Sequence, residues 1–215
     1  MEQSRERERL LRLAMILALI TIGYNLVEGV VSVFFGLEDE TISLFGFGLD
    51  SFVEVISGAG IFHMILRIRK APTESPDRFE RLALRITGGA FYLLFLSIAA
   101  TSAVNLLQGH QPETTFWGIV IASISILTMW LLILFKMKVG RALDSQAIIA
   151  DAHCTRACLS LSVVLLAASL LYELTGVGGF DALGGIAIAL LSLREGREAF
   201  QKARGLPCCS SCQCP

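Results

Sequence analysis

Residues 147–166 read AIIADAHCTRACLSLSVVLL, a segment apolar enough to lie in a membrane. Within two helical turns the same segment carries five polar or ionisable side chains: Asp151, His153, Cys154, Arg156 and Cys158. Such side chains are costly inside a bilayer, so they usually face the interior of a helix bundle and have a function there. The segment therefore predicts a membrane helix that contributes metal- or proton-binding groups.

The composition of the whole chain is that of a membrane domain. Of its 215 residues, 54% are hydrophobic and 17% are charged, whereas soluble domains contain about 25% charged residues. Apolar runs of about 20 residues span a bilayer. Six such runs are present, the last of them short: 11–35, 42–66, 86–107, 115–135, 143–174 and 180–194. We expect an all-α membrane protein with six transmembrane helices. Basic tracts interleaved with aromatics are absent, which argues against nucleic-acid binding.

The positions of Lys and Arg predict the orientation, because loops on the cytoplasmic side carry an excess of these residues. Of the 18 in the chain, all except Arg156 lie at or before the start of helix one, between helices two and three, between helices four and five, or at or after the end of helix six. We therefore expect both termini in the cytoplasm and a location in a bacterial-type plasma membrane. The expected parts are a cytoplasmic segment at 1–10, a transmembrane domain at 11–200 and a cytoplasmic tail at 201–215.

Two pairs of candidate metal ligands are spaced four residues apart: Asp50 and Glu54 in helix two, and Cys154 and Cys158 in helix five. Residues at i and i+4 share a helix face, so each pair can offer two ligands to one ion. Four ligands are the number that a tetrahedral Zn²⁺-like ion takes. Distances along the helices from their basic ends place Glu54 level with Cys154 and Asp50 level with Cys158. Taken singly, a buried Cys also fits the role of a small hydrophobic residue.

Four other polar residues are candidates for supporting the site or for a proton pathway: Asn25, Glu28, Asp151 and Arg156. Asp151 is open to three interpretations, as a ligand, as a supporting residue or as the ion-pair partner of Arg156. For Asn25 we favour a hydrogen bond between helices. His153 lies about 100° around the helix from the Cys face, which places it outside the ligand set.

The tail contains four Cys within seven residues: Cys208, Cys209, Cys212 and Cys214. Structural disulfides are rare in the reducing cytoplasm, so free thiols are expected. We interpret the tail as an additional metal-binding segment. The alternatives are palmitoylated cysteines or a disordered tail without a role.

Four segments resemble the transmembrane domain of the cation diffusion facilitator (cation efflux) family: NLVEGVVSVFFG at 25–36, SLFGFGLDSFVEV at 43–55, ADAHCTRACLS at 150–160 and DALGGIAIALLSLREGREAF at 181–200. The resemblance covers about residues 10–200. It implies six membrane helices with cytoplasmic ends and the export of metal cations. In that family helix two carries His or Asp followed by Asp, and helix five carries His followed by Asp. This chain has carboxylates and thiols at those positions, and it is expected to lack the family's usual C-terminal cytoplasmic domain, which puts metal-regulated dimerisation in doubt.

The mixed ligand set predicts the cargo and the mechanism. Thiolate favours Zn²⁺, Cd²⁺ or Hg²⁺ over Mg²⁺, Ca²⁺ or Mn²⁺. Metal binding releases protons because the ligands must be deprotonated. We therefore predict a transporter, not an enzyme, that exports soft or borderline metal cations by metal/proton antiport. The expected partners are the lipid bilayer, metal ions and protons, with a homodimer left open and with the metal as cargo instead of a resident cofactor.

Two other functions compete with transport. The first is a membrane sensor or buffering protein that binds metal without moving it. The second is a thiol oxidoreductase, which is disfavoured because Cys154 and Cys158 are one residue further apart than in the usual Cys-x-x-Cys motif.

Overall fold

The fold is an all-α helix bundle in a computed structural model that describes residues 2–39, 41–70, 78–108, 114–144 and 146–204. Six helices form the described part of the chain: α1 Glu2–Glu38, α2 Ile42–Lys70, α3 Arg78–Gln108, α4 Phe116–Ala142, α5 Gln146–Thr175 and α6 Gly179–Ala203. Five of them, α1 to α5, are long and apolar enough to cross a membrane. The protein is therefore an integral, multi-pass, all-α membrane protein, as the composition predicts.

The sixth helix is less apolar, because four charged residues lie between positions 194 and 198. It nevertheless packs along the membrane-spanning α3 in the antiparallel direction. Near one end of the contact Gly88 of α3 lies against Gly196, and near the other end Ser102 lies against Gly185. These contacts extend over about 20 Å at 1.5 Å per residue, so α6 runs beside α3 for most of its own length.

Several helices extend past the predicted boundaries, most clearly α4 and α6. The prediction ends helix four at residue 135 and places Lys136, Lys138 and Arg141 in a loop, but α4 continues to Ala142. The boundary was wrong because apolarity measures the hydrocarbon span, whereas Lys and Arg are themselves good helix formers. The turn between α4 and α5 is consequently short, and Asp144 in it has a positive φ of 48°.

Helices α1 and α2, α3 and α6, and α4 and α5 form the three most extensive helix pairs. Small residues allow the backbones in these pairs to approach closely. A Cβ added at Gly36 in α1 would lie 2.5 Å from the backbone nitrogen of Phe45 in α2. A Cβ added at Gly140 in α4 would lie 3.2 Å from the backbone nitrogen of Ile149 in α5. These glycines therefore serve packing within the bundle.

Two apolar clusters fill the interior of the bundle. The first lies toward the end where α2 begins and includes Leu44, Phe47 and Ile98. The second includes Leu17 and Met129 and lies toward the end where α1 begins and where α2, α4 and α6 end. We call that end the Arg-rich end, because nearly all Lys and Arg lie near it. Polar side chains of four helices are buried between and beside these clusters, and they form the candidate site.

Candidate functional site

Helix α2 directs both of its predicted ligands into the bundle. The Asp50 side chain is 1% exposed and the Glu54 side chain is 9% exposed. The two carboxylates are one helical turn apart, which gives them a common face. Within a helix the backbone N–H groups donate to backbone carbonyl oxygens of the same helix. These carboxylates therefore depend on side chains for their hydrogen bonds.

Helix α5 meets this face at Cys158, which is 4% exposed. The Cys158 thiol donates a hydrogen bond to Asp50 Oδ2, with an Sγ–O distance of 3.4 Å. Asp50 and Cys158 are thus level, as the count from the basic ends predicts. Asp50 Oδ1 and Glu54 Oε2 are buried and accept no hydrogen bond within the described part of the protein. Two acceptor atoms therefore remain for a proton or a cation.

The other Cys of the predicted pair, Cys154, lies one helical turn before Cys158 on α5, but its side chain and that of His153 are outside the described part of the structure. Among the side chains that are described, no three from His, Cys, Asp and Glu converge closely enough to hold an ion. The four cysteines of the tail also lie outside the described residues.

Glu28 of α1 is buried beside this face and is fully hydrogen-bonded. Its Oε1 accepts from the Tyr24 hydroxyl at 2.8 Å and its Oε2 accepts from the Ser51 hydroxyl at 3.1 Å. Ser51 directly follows Asp50 in α2. Glu28 therefore forms a hydrogen bond with the residue next to a predicted ligand.

Asn25 differs from the prediction. The residue is completely buried, but its Nδ2 donates to the backbone oxygen of Thr21 at 3.0 Å, within its own helix. Among the described residues, this bond within α1 is found and the predicted bond between helices is not. Thr21 is one turn earlier, and a backbone carbonyl that close satisfies the amide donor more readily than a distant side chain does. Asn25 Oδ1 has no partner among the described residues.

Asp151 forms a buried ion pair, with a partner that the sequence analysis did not consider. Lys136 Nζ of α4 lies 2.9 Å from Asp151 Oδ2 and donates to Thr155 Oγ1 at 2.9 Å. Arg156, the partner considered for Asp151, is exposed, because the helical period directs it to the opposite side of α5. The ion pair of Asp151 is thus formed with Lys136 and not with Arg156.

The sequence contains a pattern that indicates the burial of Lys136. The residues at 129, 132, 136 and 139 follow the i, i+3, i+4 spacing of a single helix face. Met129, Leu132 and Val139 are buried in the second apolar cluster, and Lys136 lies on the same face with 1% of its side chain exposed. The positive-inside rule assigns every such Lys to the membrane boundary, so a prediction based on it overlooks the burial of Lys136.

At the end opposite the Arg-rich end, two carboxylates cap helices. Asp181 of α6 accepts from the backbone N–H groups of Ile42 at 2.9 Å and Ser43 at 3.1 Å, and also from the Ser43 hydroxyl. Glu173 of α5 accepts from the backbone N–H of Thr115 at 2.6 Å, just before α4 begins. Both satisfy N–H groups that a helix start leaves without a partner. Their function is to fix the starts of α2 and α4.

Comparison with known proteins agrees with the membrane fold described above. The family description "Cation efflux transmembrane domain" matches residues 14–205. A protein of Methanocaldococcus jannaschii, named as an uncharacterized transporter, is 30% identical over 178 residues, which make up 80% of this chain. The chain spans 62% of that relative's length.

Proposed function

The chain belongs to the cation efflux family, and from that premise we propose that it transports cations and that its cargo is a soft or borderline transition-metal ion such as Zn²⁺, Cd²⁺ or Hg²⁺. The proposed binding site lies between α2 and α5 and consists of four residues: Asp50, Glu54, Cys154 and Cys158. The proposed direction is export from the cytoplasm, driven by protons that move inward.

The observation that carries this proposal is the contact between Asp50 and Cys158. A carboxylate of α2 and a thiol of α5 meet at 3.4 Å in the bundle interior, where a polar pair without a function is costly. The buried Asp50 Oδ1 and Glu54 Oε2 have no hydrogen-bond donor within the described residues. An oxygen and sulfur ligand set suits borderline and soft ions more than Mg²⁺ or Ca²⁺.

The same contact supports coupling to protons. The Cys158 proton is directed at Asp50 Oδ2, so the proton occupies the space between two proposed ligands. A metal ion that binds both atoms must displace this proton, because sulfur binds metals as the thiolate. When the ion leaves, the four ligands cannot all stay ionised in a medium of low dielectric constant. Proton uptake is therefore part of each transport cycle.

Glu28 is the proposed carrier of these protons. Its hydrogen bond with Ser51 links it to the residue that follows Asp50 in α2, and the Tyr24 hydroxyl extends the chain of polar groups along α1. Protons exchanged between Glu28 and the site need not pass through the route that the metal ion takes. Asn25 and Arg156 have no hydrogen bond or ion pair to these groups among the described contacts, and we leave them out of the pathway.

Flux measurements in proteoliposomes test the proposal. Purified protein is reconstituted with a metal-sensitive dye and a pH-sensitive dye inside the vesicles. Addition of Zn²⁺ or Cd²⁺ is expected to produce metal uptake with opposite proton movement. Asp50→Ala or Cys154→Ser is expected to abolish both signals, whereas Asp144→Asn serves as the matched control, since Asp144 is exposed in the α4–α5 turn.

Three results would contradict the proposal. Metal binding without any flux in the wild-type protein would indicate a sensor or buffering protein. Metal flux without proton movement would exclude antiport. Normal flux in both site variants would exclude the proposed site.

A further inference from the structure

The buried ion pair between Lys136 and Asp151 has no part in the transport site described so far. Helix α4 carries two Lys two residues apart, and their environments differ. Lys138 is exposed and fits the rule that cations accumulate at the cytoplasmic boundary. Lys136 is 1% exposed and its ammonium lies 2.9 Å from a carboxylate that is itself 11% exposed. The boundary rule does not explain a lysine inside the bundle.

The pair lies next to the proposed site, on the side of the Arg-rich end. Asp151, Thr155 and Cys158 follow the i, i+4, i+7 spacing, which places them along one face of α5. Lys136 binds the first two of these residues. Asp151 lies seven residues, about 10 Å, from Cys158 toward the Arg-rich end, and Glu54 lies four residues, about 6 Å, from Asp50 in the same direction. An ion that approaches the site from the Arg-rich end therefore meets the Lys136–Asp151 pair before it reaches Glu54.

We propose that Lys136 determines the cation selectivity of the transporter by keeping Asp151 out of the ligand set. This inference rests on the proposed transport through the α2–α5 site. Held by Lys136, Asp151 has a permanent counter-ion that belongs to the protein. The cargo then finds only two carboxylates beside the thiols instead of three.

The number of carboxylates matters because hard and soft ions prefer different ligands. Mn²⁺ and Mg²⁺ favour oxygen ligands, and a third carboxylate next to Asp50 and Glu54 would serve them well. Zn²⁺ and Cd²⁺ gain more from sulfur. A lysine that neutralises the third carboxylate also adds a positive charge near the site, so an ion must gain enough from the thiols to bind there. Both effects favour soft cargo over hard cargo.

The test compares Mn²⁺ flux with Cd²⁺ flux in full-length protein reconstituted in liposomes. Lys136→Met releases Asp151, and the ratio of Mn²⁺ to Cd²⁺ flux is expected to rise by about 10-fold, the lower end of the 10- to 100-fold effects seen when a partner of a ligand is removed. Lys136→Arg keeps the charge and is expected to keep the wild-type ratio. Lys138→Met removes an exposed charge from the same helix and serves as the matched control.

A double variant separates selectivity from folding. Lys136→Met combined with Asp151→Asn removes both charges, so no free carboxylate is left, and the ratio is expected to return to the wild-type value. If Lys136→Met does not fold, Lys136→Gln is used, since its amide still donates hydrogen bonds to Thr155 and Asp151 while the charge is lost.

An unchanged ratio in Lys136→Met or Lys136→Gln, with both fluxes reduced equally, would show that the pair only holds α4 against α5 and would overturn the inference. The same conclusion follows if the raised ratio persists in the double variant, because Asp151 would then not be its cause. Absence of flux for every metal in the wild-type protein would instead contradict the proposed function.

Discussion

Asp50 and Asp181 are both buried aspartates, but they lie in different regions of the bundle and their oxygens are used differently. Asp181, 2% exposed, accepts hydrogen bonds on both oxygens from groups at the start of α2. Asp50, 1% exposed, lies in the middle of α2 and has a single thiol as donor, while its Oδ1 has no partner within the described residues.

The difference separates a structural carboxylate from a functional one. A buried carboxylate is stable when backbone N–H groups and the positive end of a helix dipole satisfy it, as at Asp181. A buried carboxylate with an unused oxygen is costly to keep. Asp50 and Glu54 share this property, as expected of ligands in the proposed site. Four predictions test whether the two regions differ in this way.

Glu54→Gln is expected to have the largest effect. Glu54 Oε2 has no donor among the described residues, so the substitution removes a ligand without breaking a hydrogen bond to that atom. We expect Zn²⁺ and Cd²⁺ flux to fall by more than about 100-fold, beyond the effect of losing a residue that only supports a ligand. The melting temperature of the variant in detergent is expected to equal that of the wild type. A variant that transports normally would remove Glu54 from the site.

Exchange of the thiols is expected to change the preference for cargo and not to abolish transport. Cys154→His together with Cys158→Asp replaces two sulfur ligands by nitrogen and oxygen. Competition assays in liposomes are expected to show a shift from Cd²⁺ and Hg²⁺ toward Zn²⁺ and Mn²⁺ of about 10-fold, equivalent to 1.4 kcal/mol. An unchanged order of preference would mean that the cysteines do not bind the cargo.

Removal of the tail thiols is expected to have a smaller effect. We propose that Cys208, Cys209, Cys212 and Cys214 collect metal near the cytoplasmic mouth. Replacement of all four by Ser is expected to lower the transport rate at low metal concentration by a few-fold at most and to leave the maximal rate unchanged. Complete loss of flux would instead place the essential site in the tail.

Asp181→Ala is expected to change transport least and stability most. The substitution leaves the N–H groups of Ile42 and Ser43 without their acceptor, at a cost of about 1–2 kcal/mol typical of a lost helix cap. The melting temperature is expected to fall, while the flux per folded molecule stays close to that of the wild type. If flux were lost with stability intact, Asp181 would belong to the transport machinery and the comparison with Asp50 would fail.

The sequence predicts the number of helices and the level of Asp50 against Cys158, because apolar length and basic boundary residues are strong signals. It does not predict the two capping carboxylates. Asp181 acts on the start of α2, 138 residues earlier in the chain, and only the packing of α6 beside α2 brings the two together. No local pattern contains that information.

Lys136 illustrates a different limit. The boundary rule and the periodicity of the buried face make opposite predictions for this residue, and the structure follows the periodicity. The face that contains Met129, Leu132 and Val139 is buried, and a lysine on it is stable only because α5 supplies Asp151 and Thr155. The partner that decides the question lies on another helix.

The central claim, that carboxylates of α2 and thiols of α5 bind the same metal ion, is tested most directly by X-ray absorption at the zinc edge. The sample is purified protein with the four tail cysteines replaced by Ser, loaded with one equivalent of Zn²⁺. The account predicts two sulfur ligands at about 2.3 Å and two oxygen ligands at about 2.0–2.2 Å, and a single sulfur ligand in Cys158→Ser. A spectrum without sulfur, or a sulfur count that Cys158→Ser leaves unchanged, would contradict it.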